Sequence, residues 1–166
     1  MPPSSAKAAS EHLKPAWPGL AVWLVVCFVA PALGSASGPG AWFERLQKPS
    51  WNPPGWVFGP VWTALYAMMA VAAWMVWRRG GIGAQRFPLV LFVTQLALNA
   101  LWTPLFFGLH RPDLALVDIV LLWLAIVWTV VTFARVHRGA AALLVPYLAW
   151  VSFATFLNFT IWRLNS

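Results

Sequence analysis

Five apolar stretches of about 20 residues each, separated by short clusters of arginine and lysine, leave this chain few folds to choose from. They run roughly over 17–37, 53–77, 87–108, 112–134 and 141–162. At about 1.5 Å per residue a helix of that length crosses the hydrocarbon core. Lipid offers no partner to backbone N–H and C=O groups, so such runs must be helical. The expectation is an all-α integral membrane bundle of five transmembrane helices, spanning 17–166 behind a mobile polar tail, 1–16. Apolar residues make up 61% of the chain, too many for a soluble domain of this size. Lys14 followed by 20–30 and then Ala30-Pro31-Ala32 also resembles a cleavable secretory signal. Against it, the first run has the length of a full span and a proline interrupts the cleavage motif.

The net charge of +7 raises the question of nucleic acid. The cations form no stripe or basic helix face; they flank apolar runs, as lipid topology requires, so no nucleic-acid partner is expected. Lys7, Lys14, Arg78, Arg79, Arg86, Arg135 and Arg138 fall on one side, against Arg45, Lys48, Arg111 and Arg163 on the other. The positive-inside rule then puts the amino terminus in the cytoplasm. Cys27, the single cysteine, lies inside an apolar run and reads as a small core residue.

Most connections are short, which makes successive helices antiparallel neighbours. The first, about 38–52, is long, and long loops tend to be functional. Trp42, Phe43 and Leu46 recur in it at helical spacing, so a short amphipathic helix and a lid over one bundle end are expected. The lid runs into Lys48-Pro-Ser-Trp51-Asn-Pro53-Pro-Gly-Trp-Val-Phe-Gly-Pro-Val-Trp62, where prolines fix the backbone and indoles supply flat, stiff walls. Asn52 and Pro53 read as helix cap and first-turn proline of the second span.

In lipid, polar residues rather than apolar ones mark the inward faces. Gln95, Asn99 and Thr103 form one stripe, and Trp62, Tyr66 and Met69 a second. Tyr147, Ala154 and Asn158 form a third, and Asp118 with Leu122, Ala125, Thr129 and Thr132 a fourth. If the stripes converge they line an aromatic cavity with few hydrogen-bonding groups, the usual make-up of a small-molecule pocket. The bland alternative is that amides and hydroxyls only join helices. Trp17, Trp42, Trp77, Trp123 and Trp162 read as interfacial anchors. Trp62, Trp102 and Trp150 sit deeper than an anchor belt explains. Asp118, the one acid deep in a span, is either a ligand or gating contact or a structural pair.

No catalytic constellation and no metal site is expected. His12, His110 and His137 have no partner at ligand spacing, and His110 reads as solvated. Gly80-Gly81-Ile82-Gly83 reads as a flexible turn, not a phosphate loop. One intramembrane acid is too few for a proton relay.

Three blocks resemble a known family. They are the Lys48–Trp62 segment with Tyr66; Asn99-Ala-Leu-Trp102-Thr-Pro-Leu-Phe106-Phe-Gly108 with Asp118; and Pro146-Tyr147-Leu-Ala-Trp150 through Asn158. Together they are similar to the tryptophan-rich sensory protein / translocator protein family, the peripheral-type benzodiazepine receptor or TspO/MBR family, over 17–163. The resemblance implies a homodimeric five-helix membrane receptor or transport protein with a stress-sensing or regulatory role. It implies a pocket under the first loop for porphyrins, haem and related tetrapyrroles, with sterols as further ligands and no cofactor. The ligand-binding positions it implies are Phe43, Pro53, Trp62, Tyr66, Asn99, Trp102, Phe106, Trp150 and Ala154, with Trp51, Asp118 and Tyr147 as secondary candidates. The enzymatic alternative it implies is light- and oxygen-dependent porphyrin degradation. Two departures stand out. Phe159 occupies the tyrosine place of the sterol motif between Leu157 and Arg163, and Phe43 has no hydroxyl to offer. Ala100, Pro104 and Gly108, at four-residue steps, suit close approach of a second copy.

Overall fold

The computed structural model describes residues 17–34 and 38–166, and within them every regular element is helical. Five helices build the bundle: α1 (Trp17–Gly34), α3 (Gly55–Trp77), α5 (Arg86–Thr103), α6 (Pro112–Val136) and α7 (Arg138–Leu164). Two short ones join them, α2 (Ala41–Arg45) and α4 (Gly81–Ala84). α3, α6, α7 and α5 with its extension to Gly108 are each long and apolar enough to cross a membrane; the apolar part of α1, Trp17–Ala32, is shorter. The tail expected over 1–16 and the last residues of the first run, 35–37, lie outside the described residues.

Around the bundle the order is α1, α3, α7, α6, α5, and α5 closes back on α1. Sequence neighbours α6 and α7 pack along each other, but α3 and α5 barely meet, because α1 and α7 flank α3. The result is a ring of five rods around a shared interior.

The two ends of that interior differ. At the end opposite the first loop, small residues let the backbones approach. Ala70, Ala72, Ala73, Ala140 and Ala141 are buried there, together with Val76 and Leu144. Phe92 stacks on Phe133 at 5.9 Å and takes Trp23 edge-on at 5.7 Å. Gly19 brings α1 against the ring of Trp77, where a Cβ would clash. Trp77 is therefore a packing partner of α1 as much as an anchor. At the loop end Phe58, Trp62, Trp102 and Trp150 are only partly buried, and the rods stand apart.

Several boundaries differ from expectation. α3 starts at Gly55, not at Pro53, and Asn52 does not cap it: its Nδ2 donates to the Pro53 carbonyl instead. Pro53 and Pro54 keep the backbone extended up to the helix, as proline imposes on the residue before it. α7 is longer than expected at both ends, and His137 Nδ1 accepts from the Ala140 N–H at its start. The glycine connection is not merely a flexible turn: Gly80 and Gly81 take φ of 119° and 71°, the left-handed region glycine tolerates, and set up the single turn α4.

α5 does not end as an α-helix. Pro104 has no N–H to give the preceding turn. Residues Pro104–Gly108 widen into a π turn, with the Leu109 N–H reaching back to the Pro104 carbonyl at 2.9 Å. π turns often mark functional sites. This one carries Phe106 and Phe107 to the underside of the first loop.

Candidate ligand pocket

The first loop closes the open end of the ring. α2 is one turn with no buried residue, yet it lays Phe43 edge-on against Phe106 and Phe107, at 6.1 and 5.3 Å. Trp42 stacks on His110 at 4.4 Å and so fastens the loop, while His110 itself stays exposed. Lys48 Nζ donates to the carbonyls of Glu44 and Leu46 and lies 4.5 Å from the Phe43 ring centre, which keeps the turn closed. Trp51 stacks on Phe156 of α7 at 5.4 Å. The loop is also tied to the end of the chain: the Gln47 N–H donates to Asn165 Oδ1 and Asn165 Nδ2 donates to the Gln47 carbonyl, both at 2.9 Å.

Beneath this lid lies a cavity of about 400 Å³. Its walls are three helical stripes. α3 gives Phe58, Trp62 and Tyr66; α5 gives Asn99, Trp102 and Thr103, continued by Phe107; α7 gives Trp150, Val151 and Ala154. Ile119 and Leu122 of α6 complete the wall, and Pro31, Pro39, Phe43, Asn52, Pro53 and Gly55 close the top and side. Trp62 lies parallel to Tyr66 at 5.3 Å and perpendicular to Trp150 at 6.5 Å, so the rings brace one another and leave flat faces.

Polar groups are few and fixed. The Tyr66 hydroxyl donates to Asn99 Oδ1 at 2.7 Å, which orients that amide at the cavity wall. Trp102 Nε1 donates to Asn158 Oδ1 at 2.9 Å, while Asn158 Nδ2 donates to the Pro112 carbonyl, also at 2.9 Å. Asn158 thus holds the Trp102 indole in place and ties α5 and α7 to the start of α6. Tyr147 donates to Gln95 Oε1 at 2.8 Å.

Of the residues singled out from sequence, Phe43, Pro53, Trp62, Tyr66, Asn99, Trp102, Trp150 and Ala154 line this cavity. Phe106 does not; it stacks on Trp102 at 4.9 Å and borders a small side branch. The secondary candidates fall outside it. Trp51 braces the lid from the outside of α7, and Tyr147 supports Trp62 edge-on at 6.2 Å. Asp118 is buried beside Ile119 without reaching the cavity, and its Oδ2 has no hydrogen-bond partner among the described residues. Trp123, read from sequence as an anchor, also joins α6 to α7: its Nε1 donates to Ser152 Oγ at 2.8 Å. Thr129 and Thr132 turn back on carbonyls of their own helix and join nothing.

Several cavity residues escaped the sequence reading. Phe58 is one helical step before Trp62, and Phe107 continues the Asn99–Thr103 stripe, so spacing alone could have found both. Pro31, Pro39 and Gly55 have no chemical mark. Asn165 acts on backbone atoms 118 positions away, which no local pattern reveals.

A sequence model of the TspO/MBR family matches residues 20–163. The chain belongs to the TspO/MBR family. It is 48% identical over 153 residues to the tryptophan-rich protein TspO of Chlorobaculum tepidum, covering 88% of this chain and 95% of that one. It is 45% identical over 141 residues to the human translocator protein, covering 84% and 83%. A third relative, the tryptophan-rich sensory protein of Cereibacter sphaeroides, is 40% identical over 149 residues, covering 90% and 92%. With the apolar helices described above, family membership makes the chain an integral, multi-pass membrane protein.

Proposed function

We propose that this protein is a membrane receptor and carrier for porphyrins and related planar tetrapyrroles, haem included, held in the cavity beneath the lid. One observation carries the reading: an apolar cavity of about 400 Å³ beneath the first loop, walled largely by aromatic rings. That volume falls within the ~300–1,000 Å³ of small-molecule pockets. A flat macrocycle would stack on one of the mutually perpendicular Trp62 and Trp150 rings and meet the other edge-on, and its polar edge would meet the Tyr66–Asn99 pair. Names of relatives such as "translocator protein" and "tryptophan-rich sensory protein" agree with movement or sensing of a small molecule. A homodimer, a cytoplasmic amino terminus and a stress-responsive regulatory role belong to the same reading. The lid would then face away from the cytoplasm, on the side with fewer cations.

Sterol recognition has less support here. Leu157 is buried under the lid whereas Phe159 and Arg163 face outward, so the three do not share a surface.

Titration with protoporphyrin, read by tryptophan quenching, tests the reading. Replacing Trp62 and Trp150 together by alanine should weaken binding several-fold while the helical content persists. Wild-type affinity in the folded double variant would refute this pocket. A second reading, light-dependent porphyrin breakdown, has one observation in its favour: oxidisable indoles of Trp62, Trp102 and Trp150 border the cavity. Turnover in light, absent in the dark and faster than with free tryptophan, would establish the enzyme.

A further inference from the structure

The main cavity has a side branch of about 60 Å³. Phe43, Asn52, Phe58, Trp102, Phe107 and Ala154 border both spaces, so the smaller hollow adjoins the main cavity under the lid, with only these side chains between them. Its far side is made by Phe106, Leu157, Asn158 and Ile161, none of which borders the main space.

The chemistry of that end is narrow. Asn158 is the one polar residue there, and its two amide atoms are engaged by Trp102 and by the Pro112 carbonyl. Toward the main cavity Asn52 adds a second amide, its Nδ2 engaged by the Pro53 carbonyl; the other walls are apolar apart from the Trp102 N–H, which is spent on Asn158. A water molecule's share of liquid is about 30 Å³, so the branch has room for two or three heavy atoms. A carboxylate arm would be too long and would find no cation in the lining to offset its charge.

Resting on the tetrapyrrole reading above, we infer that this branch is a specificity subsite. It takes one short apolar substituent on the rim of the bound ring and turns the acidic arms away, fixing the macrocycle's rotation in the cavity. Ring stacking alone is indifferent to such rotation. The subsite supplies a register: the substituent of one or two carbons goes beneath Phe43, and the carboxylates must lie elsewhere.

Porphyrins that differ only in their two short substituents provide the test. Deuteroporphyrin has hydrogen there, protoporphyrin vinyl and mesoporphyrin ethyl. Each would be titrated into the full-length protein in the same detergent. Burying two further carbons predicts that meso- and protoporphyrin bind about tenfold more tightly than deuteroporphyrin. Leu157→Phe fills the branch alone, since Leu157 does not border the main cavity. It should leave deuteroporphyrin affinity unchanged and remove most of the preference. Partition into detergent is common to both proteins and cancels in the comparison. Ile161→Ala deepens the same end without crowding it and decides the matter should Leu157→Phe fail to fold. It should let a propyl-bearing ring bind as well as the ethyl-bearing one. A meso-to-deutero ratio that stays the same in wild type and both folded variants, with deuteroporphyrin bound by all, overturns the subsite alone. Failure of the wild type to bind any of the three rings overturns the tetrapyrrole reading and the subsite with it.

Discussion

The two ends of the bundle are built by the same five rods and come out opposite. At the closed end, alanines on α3 and α7 bring backbones together, and Phe92 and Phe133 fill what space is left. At the lid end, Trp62 meets Trp150 edge-on at 6.5 Å, Trp102 stacks on Phe106 at 4.9 Å, and a cavity remains between them. In lipid no hydrophobic force drives helices together, so packing and hydrogen bonds decide where they touch. Small residues close the interior and interlocked large rings keep it open. The closed end holds the ring together, and the open end is free to serve a ligand.

Deleting a ring at each end separates the two roles. Phe92→Ala removes a fully buried side chain and should lower stability by about 3–5 kcal/mol, read by denaturation in detergent. Phe58→Ala removes a ring that already faces the cavity, whose lost contacts are fewer, and should cost less than half as much. Equal costs would erase the distinction between the ends.

Next in size is Gly19→Ala. The added Cβ would meet the Trp77 ring, and overpacking of this kind costs about 1–3 kcal/mol. The melting temperature should fall and Trp77 emission shift, while porphyrin affinity stays near wild type. A loss of affinity without loss of stability would mean that the ends are coupled through α1 rather than independent.

The smallest effect is at the lid. Asn165→Ala removes both hydrogen bonds to the Gln47 backbone. Exposed bonds of this kind are weak, so lid amides around Phe43–Gln47 should exchange about three- to tenfold faster. Amides of α3 and α7 should be unaffected. Unchanged lid exchange would show that the Trp42–His110 and Trp51–Phe156 stacks hold the lid by themselves.

The spans were legible because lipid imposes them: long apolar runs punctuated by cations have no other fold. Inward faces were legible through polar residues, which is why Asn99 and Tyr66 were each placed on an inward stripe before any geometry. Depth was not. Asp118 and Tyr147 point inward, but polarity does not say at which level of the bundle, and both lie off the cavity. Ring order was hidden too, since a helix apolar on every side does not name its neighbours. The π turn after Pro104 moved Phe106 from the expected cavity wall to the side branch. Trp123, Thr129 and Thr132 show the ambiguity of polar side chains in membranes: one joins helices, and two satisfy themselves on their own carbonyls.

Ala154 borders both the main cavity and its branch, so filling that position addresses the central claim most directly. Porphyrin titration of Ala154→Phe should show affinity lowered by at least about tenfold, as crowding of an apolar pocket predicts, with a melting temperature close to wild type. Wild-type affinity in the folded variant would contradict the account, because the ligand would then have to lie somewhere other than the hollow between the five helices.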